Sequence, residues 1–550
     1  MRRFTLRRKK TLLSVAILGL AALVAVPTVT AAAPARAGSA RQAPGSNWSS
    51  WSGNLAGSRY AAGEKAINPA TVSSLQYKWA FTFPNIPNVY PGSQPAVVGN
   101  TLYVGSTDAK FYALNARTGA TKWVFDLTPI AGAVTASNPN PVRDGPAVAA
   151  GTVYFGDSRG YVYALDKYTG QLRWATHVGD QPYSKFSGSP VIFDGKVFIG
   201  ISQPQADLQI ANINYPCCTG RGQMVALNAD TGAVLWRYYT VPAAQPVGTW
   251  PSGATLYAPS GGSVEDAPAI DPASRTLYFG TGQNDTGTDG QTDSLIALNL
   301  DTGQLRWFFK AQIDTFTTPC LYLPQYAAYC PQAEQGLDHD WDMMSSPNLF
   351  RIDGREAVGI GEKSGVYRVF DALTGRLIWA DQLSAHPNAN GGGAGIAWGT
   401  SYDGKRIYAA TWLDGPGILS ALDPATGAIL WQTSGPSDGC TTGGAASNEA
   451  DCTMGSGAAV SSSPGLVYEG NTDGKVYVFA ADTGDLLWQF DTDQEFTGVN
   501  GAVGHGESVS SLAGAVVAGG MLYVQSGYYP LRTSSDTDGT VLLAFGLPDQ

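Results

Sequence analysis

The chain is poor in the residues from which most metal and acid–base sites are built. Its 550 residues include four histidines, at 177, 339, 386 and 505, and six cysteines. None of the histidines stands in a G-x-S-x-G context, so nothing supports a Ser-His-Asp hydrolase. No C-x-x-C-H occurs, which excludes a c-type haem attached to these residues. Charge is sparse as well, at 14% Asp, Glu, Lys and Arg, and it is unevenly placed. Seven of the 34 basic residues (Arg2, Arg3, Arg7, Arg8, Lys9, Lys10 and Arg36) fall within the first 37 positions, with no acidic residue among them. Without those seven, 27 basic residues face 44 acidic ones, a net charge of −17. A surface of that sign lacks the basic face that nucleic acid or an anionic membrane requires. Long apolar runs are missing too. The longest, Leu12 to Val26, is about 15 residues, short of the roughly 20 that span a bilayer.

That short run has a different reading. A basic start, an apolar stretch and small residues ending Ala35-Arg36-Ala37 make up a secretory signal peptide with an A-x-A cleavage site over residues 1–37. Arg2-Arg3 leaves a twin-arginine route open, although Thr5 stands where that signal prefers Phe. The expected product is an exported protein of residues 38–550 with no transmembrane span. In that compartment six cysteines read as disulfides before metal ligands. Cys320 and Cys330 flank one loop, Cys440 and Cys452 another, and Cys217 and Cys218 are adjacent.

What the chain does have is glycine (67 residues) and aromatics, including 14 tryptophans, and their placement is periodic. The pattern A-L-(D/N)-x-x-T-G-x-x-x-W recurs from Ala113 to Trp123, Ala164 to Trp174, Ala226 to Trp236 and Ala297 to Trp307. It continues from Val369 to Trp379, Ala421 to Trp431 and Val478 to Trp488. Half of all tryptophans therefore occupy one repeat position. Upstream of each copy lie two short apolar stretches separated by Gly turns, such as Ser189-Pro190-Val191-Ile192 and Lys196-Val197-Phe198-Ile199. Period-two alternation with glycine punctuation specifies antiparallel strands, and four strands per roughly 50 residues make a propeller blade. In the Thr-Gly turn, Gly supplies positive φ and Thr bonds the local backbone, which leaves the Trp free to pack on the neighbouring blade.

Seven motifs do not make seven blades. Ala515-Val516-Val517, Met521 to Val524 and Val541 to Phe545 supply three strands without a T-G…W, while Leu75-Gln76-Tyr77-Lys78-Trp79 is an orphan fourth strand. Joined, they form an eighth blade that closes the ring and removes its edges. The expected fold is all-β, an eight-bladed propeller closed by N- and C-terminal strands.

A ring of T-G-x-x-x-W repeats resembles the quinoprotein alcohol dehydrogenases, which hold pyrroloquinoline quinone (PQQ) on the propeller axis. The resemblance extends from Trp51-Ser52-Gly53-Asn54-Leu55-Ala56 to Ala544-Phe545. It points to the polyvinyl-alcohol dehydrogenase-like branch through Tyr215-Pro216-Cys217-Cys218-Thr219-Gly220-Arg221-Gly222, Gly361 to Tyr367 and Val516 to Val524. It implies a PQQ- and Ca²⁺-dependent oxidation of a secondary or polymeric alcohol, with electrons passed to a separate acceptor. The competing expectation is a non-catalytic propeller serving as a scaffold or binding module, because blades of this kind are shared by both.

The resemblance also assigns roles. A base for the hydroxyl proton falls in Leu337 to Pro347, where matching on Trp-Asp selects Asp342 and matching on the distance to Pro347 selects Asp340. In the first register Met344 stands where lanthanide-using relatives have a second Asp, which favours calcium. Lys363 falls beside the quinone oxygens; its alternative is an ordinary solvated hairpin turn. Cys217 and Cys218 would form a vicinal disulfide over the cofactor, Arg221 would reach a PQQ carboxylate, and Trp398 would lie near the ring or else in the core. Asp342 and Gln283 would ligate the metal. Three departures weigh against this set, one of them Val264-Glu265-Asp266-Ala267-Pro268 where relatives often have an aromatic residue to stack on the ring. Where relatives carry a Glu ligand, the chain reads Ser202-Gln203-Pro204-Gln205-Ala206-Asp207, and where they have G-T-G-N it reads Gly280-Thr281-Gly282-Gln283. Glu265 or Asp266 would have to replace the missing carboxylate.

Overall fold

Each T-G turn is the hinge on which two blades meet. The computed structural model describes residues 47–548 except 87, 88, 90, 91, 136, 137, 204, 288, 312–339, 385–394, 413–416, 435–454, 510–512 and 528–538. The glycines of the seven turns (119, 170, 232, 303, 375, 427 and 484) all have φ between 68° and 80°, a region closed to most side chains. Each also has a Trp ring against its Cα. A methyl group on Gly170 would stand 2.7 Å from the ring of Trp123, and one on Gly375 would stand 2.6 Å from Trp307. The indole then donates across the joint. Trp123 Nε1 bonds the Lys167 carbonyl at 3.2 Å, Trp174 the Ala229 carbonyl at 2.9 Å and Trp307 the Ala372 carbonyl at 3.0 Å.

Eight four-stranded antiparallel sheets result. Blade 1 runs Ala96–Val98, Thr101–Gly105, Lys110–Asn115 and Thr121–Asp126, from the axis outward. Blades 2 to 7 repeat that order, beginning at Ala147–Ala149, Val191–Phe193, Ala269–Asp271, Asn348–Ile352, Ser401–Tyr402 and Ser461–Ser463. Blade 8 has the split composition the sequence indicates. Val516–Ala518, Met521–Ser526 and Val541–Gly546 are completed by Gln76–Thr82, with Trp79 opposite Ala544. Its orphan Trp79 packs on Gly119 and donates to the Ala116 carbonyl at 3.2 Å, as the tryptophans of blades 1 to 6 do at their joints, while Trp488, facing a blade without a T-G turn, donates to the Leu75 carbonyl at 3.3 Å. Buried apolar clusters fill all eight joints, including the one between blades 8 and 1 around Trp79, Leu102, Leu114 and Leu542.

A strap of backbone precedes the blades and ties their innermost strands together. Trp48 pairs with Val97 of blade 1, and the carbonyl of Ser49 accepts from Val148 of blade 2 at 2.7 Å. The carbonyls of Leu55 and Ala56 accept from Ile270 and Leu349, both at 2.7 Å, in blades 4 and 5. Those of Ser58 and Arg59 accept from Tyr402 at 2.9 Å and Ser462 at 3.0 Å, in blades 6 and 7. Arg59 is wholly buried and stacks 4.2 Å over Trp51. It donates to the carbonyls of Trp51 and Val460 (2.8 Å each) and to Gln94 and Ser461 (2.9 Å each). Burial without an anionic partner pushes its pKa down to about 9.

Candidate active site

Around the axis, the turns that leave the second strands of blades 3, 4 and 5 meet the segments that enter the innermost strands of blades 4, 5 and 6. The second strands Lys196–Ile201, Thr276–Gly280 and Arg355–Gly361 deliver Ser202-Gln203, Thr281-Gly282-Gln283 and Glu362-Lys363. Facing them are Ser263 to Asp266, Asp340 to Ser346 and Gly395 to Gly399.

Lys363 is the centre of this group. Its ammonium donates to Asp340 Oδ1 at 2.8 Å and to Asp342 Oδ2 at 2.6 Å. Its backbone N–H donates to the Asp342 carbonyl at 3.0 Å, which fixes the two segments in register. The solvated hairpin is therefore excluded, since the Lys363 side chain is only 11% exposed. Both candidate bases reach the same lysine, but they are not equivalent. Both Asp342 oxygens are engaged, Oδ2 by Lys363 and Oδ1 by the Gln283 N–H at 2.7 Å. Asp340 gives one oxygen to Lys363 and is the more open side chain, 16% exposed against 8%. Burial lifts the Asp340 pKa well above the carboxylate range; Lys363 opposes that shift and the neighbouring Asp342 adds to it. Burial works to lower the Lys363 pKa, but Asp340 and Asp342 more than offset it and hold the ammonium well above its ordinary value.

Sequence reasoning passed over Glu362, one residue from Lys363. It is fully buried, accepts from Ser364 Oγ and is paired with Arg368. Burial still raises its pKa, with Arg368 opposing. The signal was present in Gly361-Glu362-Lys363, where an acid follows the glycine that ends a core strand.

Arg221 lies beyond blade 3. Its Nε donates to the Val241 carbonyl at 3.0 Å, and its guanidinium lies 3.6 Å over the Tyr239 ring. Tyr239 in turn donates to Asp180, and Gln181 Oε1 accepts from the Arg221 N–H at 3.0 Å. Burial lowers the Arg221 pKa, against the pull of Tyr239 and Asp180. The two terminal guanidinium nitrogens meet no acceptor among the described residues. Cys217 and Cys218 are disulfide-bonded across a cis peptide. They are buried with Trp250, whose Nε1 donates to the Cys217 carbonyl at 2.8 Å. Trp398 is half-buried on the cluster that contains Trp51 and Val264.

The two replacement carboxylates part company. Asp266 accepts the Gly280 N–H at 2.9 Å, as Asp144 accepts that of Gly156 at 2.6 Å in blade 2. It is a repeated bond within a blade, from the segment that enters the innermost strand to the end of the second strand. Glu265 accepts from Ser202 Oγ at 2.5 Å, across the gap between blades 3 and 4. Cys320, Cys330, Cys440, Cys452 and residues 1–37 lie outside the described residues.

Comparison with known proteins decides the family. Residues 176–314 match the family described as "Glucose/ethanol/alcohol dehydrogenase, beta-propeller domain", and 78–214, 362–501 and 417–543 match "Outer membrane protein assembly factor BamB". The polyvinylalcohol dehydrogenase of Sphingopyxis sp. (strain 113P3) is 33% identical over 522 residues, 91% of this chain and 76% of that one. The chain belongs to the quinoprotein alcohol dehydrogenase family. The quinohemoprotein alcohol dehydrogenase of Comamonas testosteroni is 25% identical over 70% of this chain and 52% of its own. Among solved structures, quinohemoprotein alcohol dehydrogenase ADHIIG of Pseudomonas putida HK5 superimposes with a TM-score of 0.65 at 20% identity, covering 92% of this chain and 81% of that one. A europium-containing methanol dehydrogenase gives 0.62 at 18% identity, with 92% and 99% covered. At those identities the structures establish the propeller alone.

The quinoprotein's residues fit the family's two usual guests unequally. An anionic group suits Arg221, whose terminal nitrogens meet no acceptor among the described residues, and Trp398 is only half-buried. Calcium does not fit. It takes six to eight oxygens, several of them anionic, and among the described residues no three His, Cys, Asp or Glu side chains converge on one point. Gln283 meets Asp342 through its backbone N–H, and a methyl group on Gly282 would stand 2.9 Å from Asp342 Oδ1, so backbone fills the space beside that oxygen. Around Gln283 and Asp342, the two residues expected to ligate the metal, no such group of three gathers among the described residues.

Proposed function

We propose that this quinoprotein is an exported PQQ-dependent dehydrogenase of a secondary or polymeric alcohol that hands its electrons to a separate acceptor. The buried Asp340–Lys363–Asp342 cluster carries the reading, because a structural turn has no use for an ammonium between two carboxylates. Arg221 holds a carboxylate of the cofactor, and Trp398 offers it a flat face. PQQ, when bound, supplies the two-electron acceptor that amino-acid side chains lack. Asp340 takes the proton from the substrate hydroxyl. Asp342, with both oxygens engaged, positions Lys363. Lys363 stabilises negative charge that develops beside it, at no cost of reorganisation since its carboxylate partners already hold it. The polymeric substrate rests on the likeness to polyvinylalcohol dehydrogenases, and export on the signal-peptide pattern of residues 1–37.

The test is a thermal melt of the purified chain from residue 38 against PQQ. A ligand present at about 100 times its dissociation constant stabilises a fold by about 2.7 kcal/mol. A saturable rise in melting temperature, lost in Arg221→Ala, is the expected outcome. No shift at high PQQ returns the chain to the non-catalytic propellers.

A further inference from the structure

The site has its positive charge built in. Where the resemblance implies a Glu, blade 3 supplies Ser202 and Gln203, and the Ser202 hydroxyl is donated to Glu265. The Gln203 N–H is donated to Ser263 Oγ at 3.0 Å and its amide nitrogen to Ser184 Oγ at 2.6 Å, and neither Ser202 nor Gln203 brings an anionic oxygen. Blade 4 brings backbone rather than a side chain to Asp342. Apart from Glu265, which is held by Ser202, the carboxylates that face each other are Asp340 and Asp342, and they are already bridged by the Lys363 ammonium at 2.8 and 2.6 Å. A divalent cation on those oxygens would either displace the ammonium or share a buried space with it, and like charges there repel with little solvent to screen them.

We propose that Lys363 replaces the divalent cation, so that this chain binds PQQ and polarises it without calcium or a lanthanide. The inference rests on the PQQ reading above. One lysine then performs both jobs that relatives divide between a cation and a basic side chain. Asp340 and Asp342 are its counter-ions, and they are not metal ligands. The site is rebuilt around a fixed charge, and its occupancy is independent of metal supply.

Two measurements on the purified chain separate this inference from its foundation. PQQ is titrated in EGTA and again in millimolar calcium, followed by quenching of tryptophan fluorescence. Equal affinity in the two buffers is expected, and binding about tenfold or more tighter with calcium overturns the inference while leaving the PQQ reading intact. Terbium is titrated separately and read by tryptophan-sensitised luminescence. The expected result is no stoichiometric site in the wild type and a new site in Lys363→Ala, where two carboxylates are left without their cation. One terbium per wild-type chain overturns the inference even if the variant fails to fold. A folded Lys363→Ala that binds no terbium also overturns it, because the two cations would then not share a seat. Absence of PQQ binding in both buffers overturns the PQQ reading, and the inference with it.

Discussion

The turn between the second and third strands is built alike in blades 2 and 5, yet it serves different ends. In blade 2 it is Asp157-Ser158-Arg159-Gly160; in blade 5 it is Glu362-Lys363-Ser364-Gly365, and the closing glycines have φ of 81° and 83°. Asp157 is fully satisfied by its own blade and its surroundings. It accepts the N–H groups of Arg159 and Tyr161 at 2.9 Å, the Tyr163 hydroxyl at 2.8 Å and Asn140 at 3.0 Å. Arg159 then reaches away to the carbonyls of Ala131, Gly132, Ala133 and Asn138, between 2.7 and 3.0 Å. In blade 5 the acid turns to Arg368, and the following cation is carried to two carboxylates from another segment. The same backbone thus holds a loop in one blade and sets an ammonium between two carboxylates in the other. The blade does not need the second arrangement in order to fold.

That contrast can be broken by substitution. Asp340→Asn should lower kcat/KM about 10³-fold, the equivalent of ~4 kcal/mol, with an unchanged melting temperature. A loss below tenfold in dye-linked assays would return the base to Asp342. In the wild type, the acid limb of kcat/KM should lie above the ordinary carboxylate range, because burial raises the Asp340 pKa and only the ionised form takes a proton. Trp174→Ala, at the joint between blades 2 and 3, should cost about 3 kcal/mol in urea unfolding and leave turnover per folded molecule intact. Arg159→Ala should lower stability by only ~1 kcal/mol, with no change in kcat/KM; a large loss of activity would end the distinction between the two turns.

The smallest effect is a slope. Glu469 occupies the strand position filled by Val104, Phe155, Ile199, Phe279 and Ile360 in other blades. Burial, aided by Asp473, pushes its pKa from 4.5 up to about 8. The folded chain therefore holds a proton that the unfolded chain has lost across that window, and stability contributed by the neutral acid falls as pH rises through it. Glu469→Gln should flatten the fall in melting temperature between pH 5 and about pH 8.

The blades were legible because each is specified locally. Thr-Gly demands positive φ, Trp demands a flat partner, and both recur at fixed spacing, so even the split eighth blade could be assembled from Trp79 and three strands lacking their own. The site was legible in its membership only. Asp340, Asp342 and Lys363 were singled out by the resemblance, but their meeting is a contact between distant segments that no local pattern encodes. The bond from the Gln283 N–H to Asp342 was invisible for the same reason, since every residue but proline has that group. Glu362 was missed because charge in a turn reads as solvated until burial is known.

The strap from Trp48 to Ala61 has a consequence for the order in which the molecule comes together. Its partners are spread over six blades, the last of them at Ser462, and the strand containing Trp79 is paired with Val541–Gly546. Residues synthesised first are thus the last to find their places, and until the C-terminus is available blade 8 has an open edge. Closing it requires a loop of more than 400 residues, which makes ring closure a late step and the unclosed ring the form most exposed to edge-to-edge association.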